Sequence, residues 1–228
     1  HIYNRGQRMD FDTWAQMGNR GWSFADVLPY FKRSERRIGE GDDTYRGRDG
    51  ELAVTDVDRR DPVSDAFIEG VANLGIPRGL DYNGAQQEGV GYFQRTILNG
   101  RRMSAARAFL KPARHRPNLT IVTHAQVSKI LFDGRRATAV RYRRGDQEHE
   151  VRANREILLA AGAIASPQIL QVSGVGPAGL LRDIGVAPVH PLSGVGEKLS
   201  DHFGIRLSAR LQGIKTINEN TRGLALAV

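Results

Sequence analysis

The sequence predicts a mixed α/β fold with α+β character, and three observations carry that expectation. Apolar residues recur at helical spacing through the first third of the chain. From Asn118 to Ala161 the period changes to two, interrupted by the turn pairs Asp133-Gly134 and Gly145-Asp146. An unbroken apolar run, Ile157 to Ala161, then ends in Gly162 just before a further helical stretch, as a parallel strand covered on both faces would.

The elements follow in order. Asp10 or Asp12 is placed to cap a short helix through Trp14 and Met17 that Gly18 ends. Ser23 caps a second helix in which Phe24, Val27, Leu28 and Phe31 form the apolar face. Asp26 stands at the third position, as a capping box requires, and Pro29 is expected to kink the helix. Residues 39–61 are rich in Gly and Asp with one alternating run, ELAVTDV. They read as a loop with a short strand and a mobile tip that could serve as a lid. Pro62 opens a third helix whose stripe is Val63, Phe67, Val71 and Leu74, stopped by Gly75 and Pro77. YFQRTILNG then reads as a strand and MSAARAFLKPA as a helix closed by Pro112. Three antiparallel strands and the buried strand to Gly162 come next, followed by a helix in ASPQILQVSG.

Composition narrows the chemistry. With 228 residues, 40% hydrophobic and 25% charged, the chain has ordinary globular proportions and enough length to bury a core. No cysteine is present, so disulfides, thiolate metal sites and Cys nucleophiles are excluded for this stretch. The net charge of +8 is concentrated: residues 101–155 carry fourteen Arg and Lys against four Asp and Glu. Such a patch could attract an anion or nucleic acid. However, 28 of the 33 basic residues are Arg, and Tyr142 is the only aromatic between Phe132 and Phe203, so the interleaving a single-strand binder needs is missing. No run of about 18 apolar residues marks a membrane span. The chain opens HIYNRG, without an initiator Met or leader, and stops at LALAV; the expectation is a segment of a longer protein, cytoplasmic or membrane-peripheral.

Single residues give little chemistry by themselves. His115, His124, His149 and His190 show no i, i+4 pairing and read as solvated or structural, so no metal site is expected. Asp10 and Asp12 read as capping groups, Trp14 and Trp22 as core. The junction at Gly162 is the exception, because a strand, a glycine and a helix start let a backbone approach a cofactor closely.

The run Gly162 to Gly176, GAIASPQILQVSGVG, resembles at every fixed position the second signature of the glucose-methanol-choline (GMC) oxidoreductases, flavoenzymes that oxidise alcohols with FAD. Ser166, Pro167, Ile169, Leu170, Ser173, Gly174, Val175 and Gly176 fill its places, with Ser166 read as a helix cap and Pro167 as the first helical residue. The opening stretch resembles the segment after the family's Gly-Gly-Ser-Ser loop, with Tyr3, Gly6 and Asp12 at the closing positions of the first signature. RPNLTIVTHAQVSKILFDG resembles a family strand pair. HPLSGVGEKLSDHFG resembles the Gly-Val-Gly-Glu-Asn-Leu-Gln-Asp-His motif, with Lys198 and Ser200 in place of Asn and Gln.

The resemblance implies part of an FAD-binding Rossmann-like domain with an antiparallel β-meander, plus part of a substrate-binding sheet domain. It divides the chain into residues 1–38 after the FAD-contact loop, 39–115 in the substrate-binding part, 116–200 in the FAD-binding part, and 201–228 returning to the former. It implies FAD contacts at His1, Ile2, Val127, Ala161 and Gly162, and places His202 near the flavin. The reaction implied is hydride transfer from a small alcohol to flavin N5, as in choline or other alcohol dehydrogenases. The catalytic His lies downstream, so no catalytic residue falls in this segment, and oxygen or a quinone takes the electrons. An anion- or nucleic-acid-binding module, or a non-catalytic relic of a flavoprotein, remain the alternatives. The pyrophosphate-binding Gly-x-Gly-x-x-Gly turn would precede residue 1. Residues 1–228 alone should therefore bind FAD weakly in a fluorescence titration, and tight stoichiometric binding would contradict this.

Overall fold

The computed structural model describes residues 2–79, 81–214 and 216. Its contacts divide the chain into two units, residues 1–119 with the described part of 210–228, and residues 120–209, and each is taken by itself.

The first unit begins with an extended segment and two helices. Helix α1 (Arg8–Gln16) follows Gln7, whose backbone N–H donates to the Asp10 carboxylate at 2.8 Å. Asp12 does not cap α1; it accepts from the Phe24 N–H at 2.9 Å and so secures the start of the next helix. Helix α2 (Phe24–Ser34) carries the expected capping box: the Ser23 hydroxyl accepts from the Asp26 N–H while Asp26 accepts from the Ser23 N–H at 3.1 Å. Pro29 lies inside α2. Trp14 and Trp22 are not core residues. They meet edge to face at 5.9 Å but stay 45% and 52% exposed, because the two short helices have room to bury only Phe11 and Phe24.

Helix α2 runs directly into β1 (Glu35–Ile38), which pairs in parallel with β2 (Leu52–Thr55) from Glu35↔Leu52 to Ile38↔Thr55. The intervening loop is not a free lid tip. Arg48 donates to the carbonyls of Arg37, Gly39 and Gly41, and Lys32 donates to those of Asp43 and Thr44, so opening the loop would strip charged donors of their acceptors. The return of the loop passes so close to the end of α2 that only glycine fits at 47: a Cβ there would lie 1.9 Å from the Lys32 carbonyl oxygen.

Helix α3 (Pro62–Asn73) starts as its sequence predicts, with Pro62 in the first turn and Asp61 accepting from the Val63 and Ser64 N–H groups. Its expected stripe is not buried. Phe67 is 60% and Leu74 82% exposed, and the half-buried face is instead Val63, Ile68, Val71 and Ala72. The predicted strand YFQRTILNG contracts to β3 (Ile97–Leu98), which turns at Asn99-Gly100 into β4 (Arg101–Arg102). Upstream of it, Arg95 and Thr55 exchange backbone hydrogen bonds of 2.8 Å. A π-helical turn, Ala106–Leu110, leads into α4 (Lys111–Ala113), which contains Pro112 rather than ending before it. The apolar core is small: Ala53, Met103 and Ala108, with Leu52 and Leu98 packed against them.

The second unit is built on the meander that the alternation predicts. Strands β5 (Gln126–Asp133), β6 (Arg136–Arg144) and β7 (Gln147–Arg152) form an antiparallel sheet in that order. Residues 118–125, expected to join β5, are outside it. The predicted strand from Ile157 to Ala161 is the main departure. Ile157–Ala160 has no ladder partner among the described residues, and its residues alternate between half-buried and exposed, with Leu158 83% exposed. A parallel strand has both faces covered, and a continuous apolar run records that environment without supplying it.

Helix α5 (Gly162–Val172) starts four residues before the expected cap, so Ser166 and Pro167 lie inside it. Ser166 still satisfies an amide at the helix start, accepting from the Ala161 N–H at 3.1 Å. At the other end the Ser173 hydroxyl accepts from the Ile130 N–H at 2.8 Å and donates to the Ile169 carbonyl at 2.5 Å, tying helix to sheet. Gly174 follows at φ +90°, where a Cβ would sit 2.7 Å from the Ala187 carbonyl. That turn lets β8 (Val175–Gly176) pair in parallel with β9 (His190–Pro191), with α6 (Ala178–Asp183) and its fully buried Leu181 between them in sequence.

Gly47→Ala should destabilise the chain by about 3 kcal/mol, the upper end of the usual overpacking cost, since the obstruction is backbone. Gly70→Ala, inside α3 with open space around it, should stabilise by about 0.5–1 kcal/mol. Urea unfolding followed by circular dichroism distinguishes the two.

Candidate functional site

The N-terminal segment is held by polar groups rather than by apolar packing. Tyr3 and Arg5 point inward while Ile2 and Asn4 are exposed, the alternation of an extended chain. The Tyr3 N–H donates to the Gln94 carbonyl at 2.9 Å. The Tyr3 carbonyl accepts from the Tyr82 hydroxyl at 2.6 Å and from the Asn83 amide at 3.1 Å. The Arg5 N–H donates to Asn83 at 2.8 Å, and Gln87 donates to the Arg5 carbonyl at 3.2 Å. Ile2 adds an antiparallel bridge to Arg95.

Beneath this segment lies a buried charge cluster. The Glu35 carboxylate, fully buried, pairs with both Arg5 and Arg46 and accepts from the Gly47 N–H at 3.0 Å. Arg46, also fully buried in its side chain, pairs with Asp81 and donates to Gln94 at 2.9 Å. Burial works against the Arg46 charge, but the hydrogen bonds and field of Glu35, then Asp81, outweigh it and raise its pKa. Burial also raises the Tyr3 and Tyr82 phenols; Arg5 partly offsets this for Tyr3, and the backbone hydrogen bond with Gln94 does so for Tyr82. Asp81 Oδ2 is buried with no hydrogen-bond partner among the described residues.

In the second unit, Val127 is half-buried near the start of β5, opposite Tyr142, and a β-bulge separates it from Lys129. Ala161 is the N-cap of α5, with its N–H on Ser166. Gly162, the first helical residue, is exposed at φ +90° with no atom within 4 Å of the place a Cβ would occupy. That open, side-chain-free turn at a helix start fits a cofactor approaching the backbone. The basic meander is partly self-neutralised: Glu150 lies 3.5 Å from Arg141 and 3.8 Å from Arg152, and Tyr142 stacks on His149 at 5.1 Å. Among the described residues no group of three or more His, Asp or Glu could hold a metal ion, and no helix is long and apolar enough to cross a membrane.

The family model described as GMC oxidoreductase matches residues 1–204. The chain belongs to the GMC oxidoreductases. Among curated relatives of this GMC oxidoreductase, the oxygen-dependent choline dehydrogenase of Ectopseudomonas mendocina is 52% identical over 211 residues, covering 90% of this chain and 37% of the relative. That of Stenotrophomonas maltophilia is 50% identical over 209 residues, with the same coverage. Among solved structures, an FAD-dependent oxidoreductase from Chaetomium thermophilum superimposes with a TM-score of 0.79 at 33% identity, over 84% of this chain and 35% of that one. Pyridoxine 4-oxidase from Mesorbium loti gives 0.77 at 35% identity, over 83% and 38%. The chain thus spans a little over a third of the length of these relatives. Mixed α/β architecture, with a part of a Rossmann-like FAD-binding domain, is the fold these neighbours share.

Of the expected cofactor contacts, Ile2 sits on the clamped N-terminal segment, and Val127, Ala161 and Gly162 sit at the bulge and the helix start. His1 lies outside the described residues. Sequence reasoning missed Glu35, Arg46 and Asp81, because charges in or beside a Gly/Asp-rich stretch look solvated. The one available signal was Gly47 and Gly50, whose lack of side chains brings the loop onto the α2–β1 junction. A cavity of about 890 Å³ in the first unit, bordered by Arg37, Asp56, Asp65, Glu69 and Tyr92, was equally unforeseen, and among the described residues none of the expected contacts lines it.

The raised Tyr3 and Tyr82 pKa values have a definite sign. Both phenols are held neutral in the folded state, so their contribution to stability is complete below the ordinary tyrosine pKa of about 10 and is lost as pH rises through the folded values. In a phenolate absorbance titration, Tyr3→Phe and Tyr82→Phe should each delete part of the late-titrating signal; a late signal intact in both variants would contradict the assignment.

Proposed function

We propose that this GMC oxidoreductase is an FAD-dependent enzyme that oxidises the CH–OH group of a small alcohol, with choline and related amino alcohols as the substrate class. The observation that carries this reading is 52% identity over 211 residues to an oxygen-dependent choline dehydrogenase. The family model's match, residues 1–204, includes Gly162 and Ser173. Bound FAD would supply a two-electron acceptor for hydride leaving the alcohol carbon.

The chain's own residues bind and orient. Gly162, with no side chain over it, leaves backbone accessible where α5 starts, and Ala161 is held there by Ser166. Val127 offers extended backbone beside a bulge. In the first unit, Ile2 presents a 59% exposed apolar side chain from a backbone that cannot shift without breaking the Tyr3 and Arg5 hydrogen bonds. The electron acceptor is oxygen or a quinone.

The purified full-length protein should show a flavin absorption spectrum that bleaches when choline is added anaerobically. Choline failing to bleach it while another primary alcohol succeeds would move the substrate, and a colourless protein that takes up no FAD would end the reading.

A further inference from the structure

We propose that Glu35 is a positioning residue for the flavin: through Arg5, and backed by Arg46, it fixes the register in which residues 2–5 cross the first unit. The proposal rests on the reading of Ile2 as a flavin contact. Residues 2–5 are extended, so side chains alternate between faces, and a slip of one residue would turn Tyr3 and Arg5 outward and Ile2 and Asn4 inward. Backbone hydrogen bonds alone do not forbid that slip, because every residue offers the same N–H and carbonyl.

Side-chain charge does forbid it. The Arg5 guanidinium enters a site with two acceptors placed by other elements, Glu35 for Nη2 and the Tyr45 carbonyl at 2.6 Å for Nη1, while Tyr3 of its own segment accepts from Nε at 3.2 Å. A planar fork satisfied at all three nitrogens fits one geometry, and neither Asn4 nor Gly6, the residues a one-residue slip would bring there, could fill it. Glu35 is itself held by the Nε and Nη2 of Arg46 and by the Gly47 N–H, so it cannot follow Arg5 if the segment moves. A cluster of two carboxylates and two guanidiniums is poor value as mere stability, since apolar residues of similar volume are often as good. Its distinct contribution is a unique arrangement. Here that arrangement decides which two side chains, Ile2 and Asn4, stand on the outer face.

The test uses the full-length protein stripped of flavin and retitrated with FAD, comparing wild type with Glu35→Gln and Tyr82→Phe. Tyr82→Phe removes only the hydroxyl that clamps the Tyr3 carbonyl. Glu35→Gln should raise the Kd for FAD on the order of tenfold and alter the visible circular dichroism of the bound flavin, and Tyr82→Phe should do the same to a smaller degree. A purely structural role would lower Tm while leaving Kd and the flavin signal of the folded protein unchanged, and that result would overturn the proposal. If Glu35→Gln does not fold, an unchanged Kd and flavin signal in Tyr82→Phe overturns it equally. A wild type that binds no FAD overturns the functional reading and this proposal with it; a wild type that binds FAD beside unaltered variants overturns this proposal alone.

Discussion

The first unit depends on one carboxylate. Glu35 ends up without solvent because α2 passes into β1 with no intervening turn, and the loop returning to β2 crosses directly over that junction at Gly47 and Gly50. Once buried, the charge must be met, and Arg5 and Arg46 approach it from opposite parts of the sequence. Leaving either guanidinium without its partner would cost about 3–5 kcal/mol, a large share of the 5–15 kcal/mol that typically separates folded from unfolded. With an apolar core of only a few residues, this unit is organised by polar satisfaction first and by hydrophobic packing second.

The second unit reverses that balance in its sheet and repeats it at one point. The meander follows from alternation and two glycine-containing turns, with Ile130 buried on one face and Ala139 on the other. The Ser173 hydroxyl gives α5 a polar tie to that sheet, bridging a strand amide and a helix carbonyl. The signature string therefore has a mechanical reading: serine to join helix and sheet, glycine to turn left-handed under Ala187, and Val175-Gly176 to pair with β9.

What could be read from the residues was what depends on near neighbours. The capping box at Ser23, Pro62 at the head of α3 and the turns at Gly134 and Gly145 are all decided within a few positions, and the structure has them as expected. Contacts between distant positions were not legible. Nothing in the sequence distinguishes Arg46, fully buried, from Arg48, which binds loop carbonyls two residues later. The same limit applies to Ile157–Ala161, whose composition states the environment of a covered strand, while its coverage depends on which strands lie alongside. For the site, the glycine turn and the family signature were visible, and the clamp on Tyr3 and Arg5 was not, because it is built from Asn83, Tyr82 and Gln94 some eighty residues further on.

That uncovered run has a practical side. From Ile157 to Ala160 there is no ladder partner among the described residues, and Leu158 stands almost wholly in solvent. Apolar side chains on an open strand edge form a template to which another extended chain can add. A preparation of these residues in isolation therefore carries a built-in route to self-association.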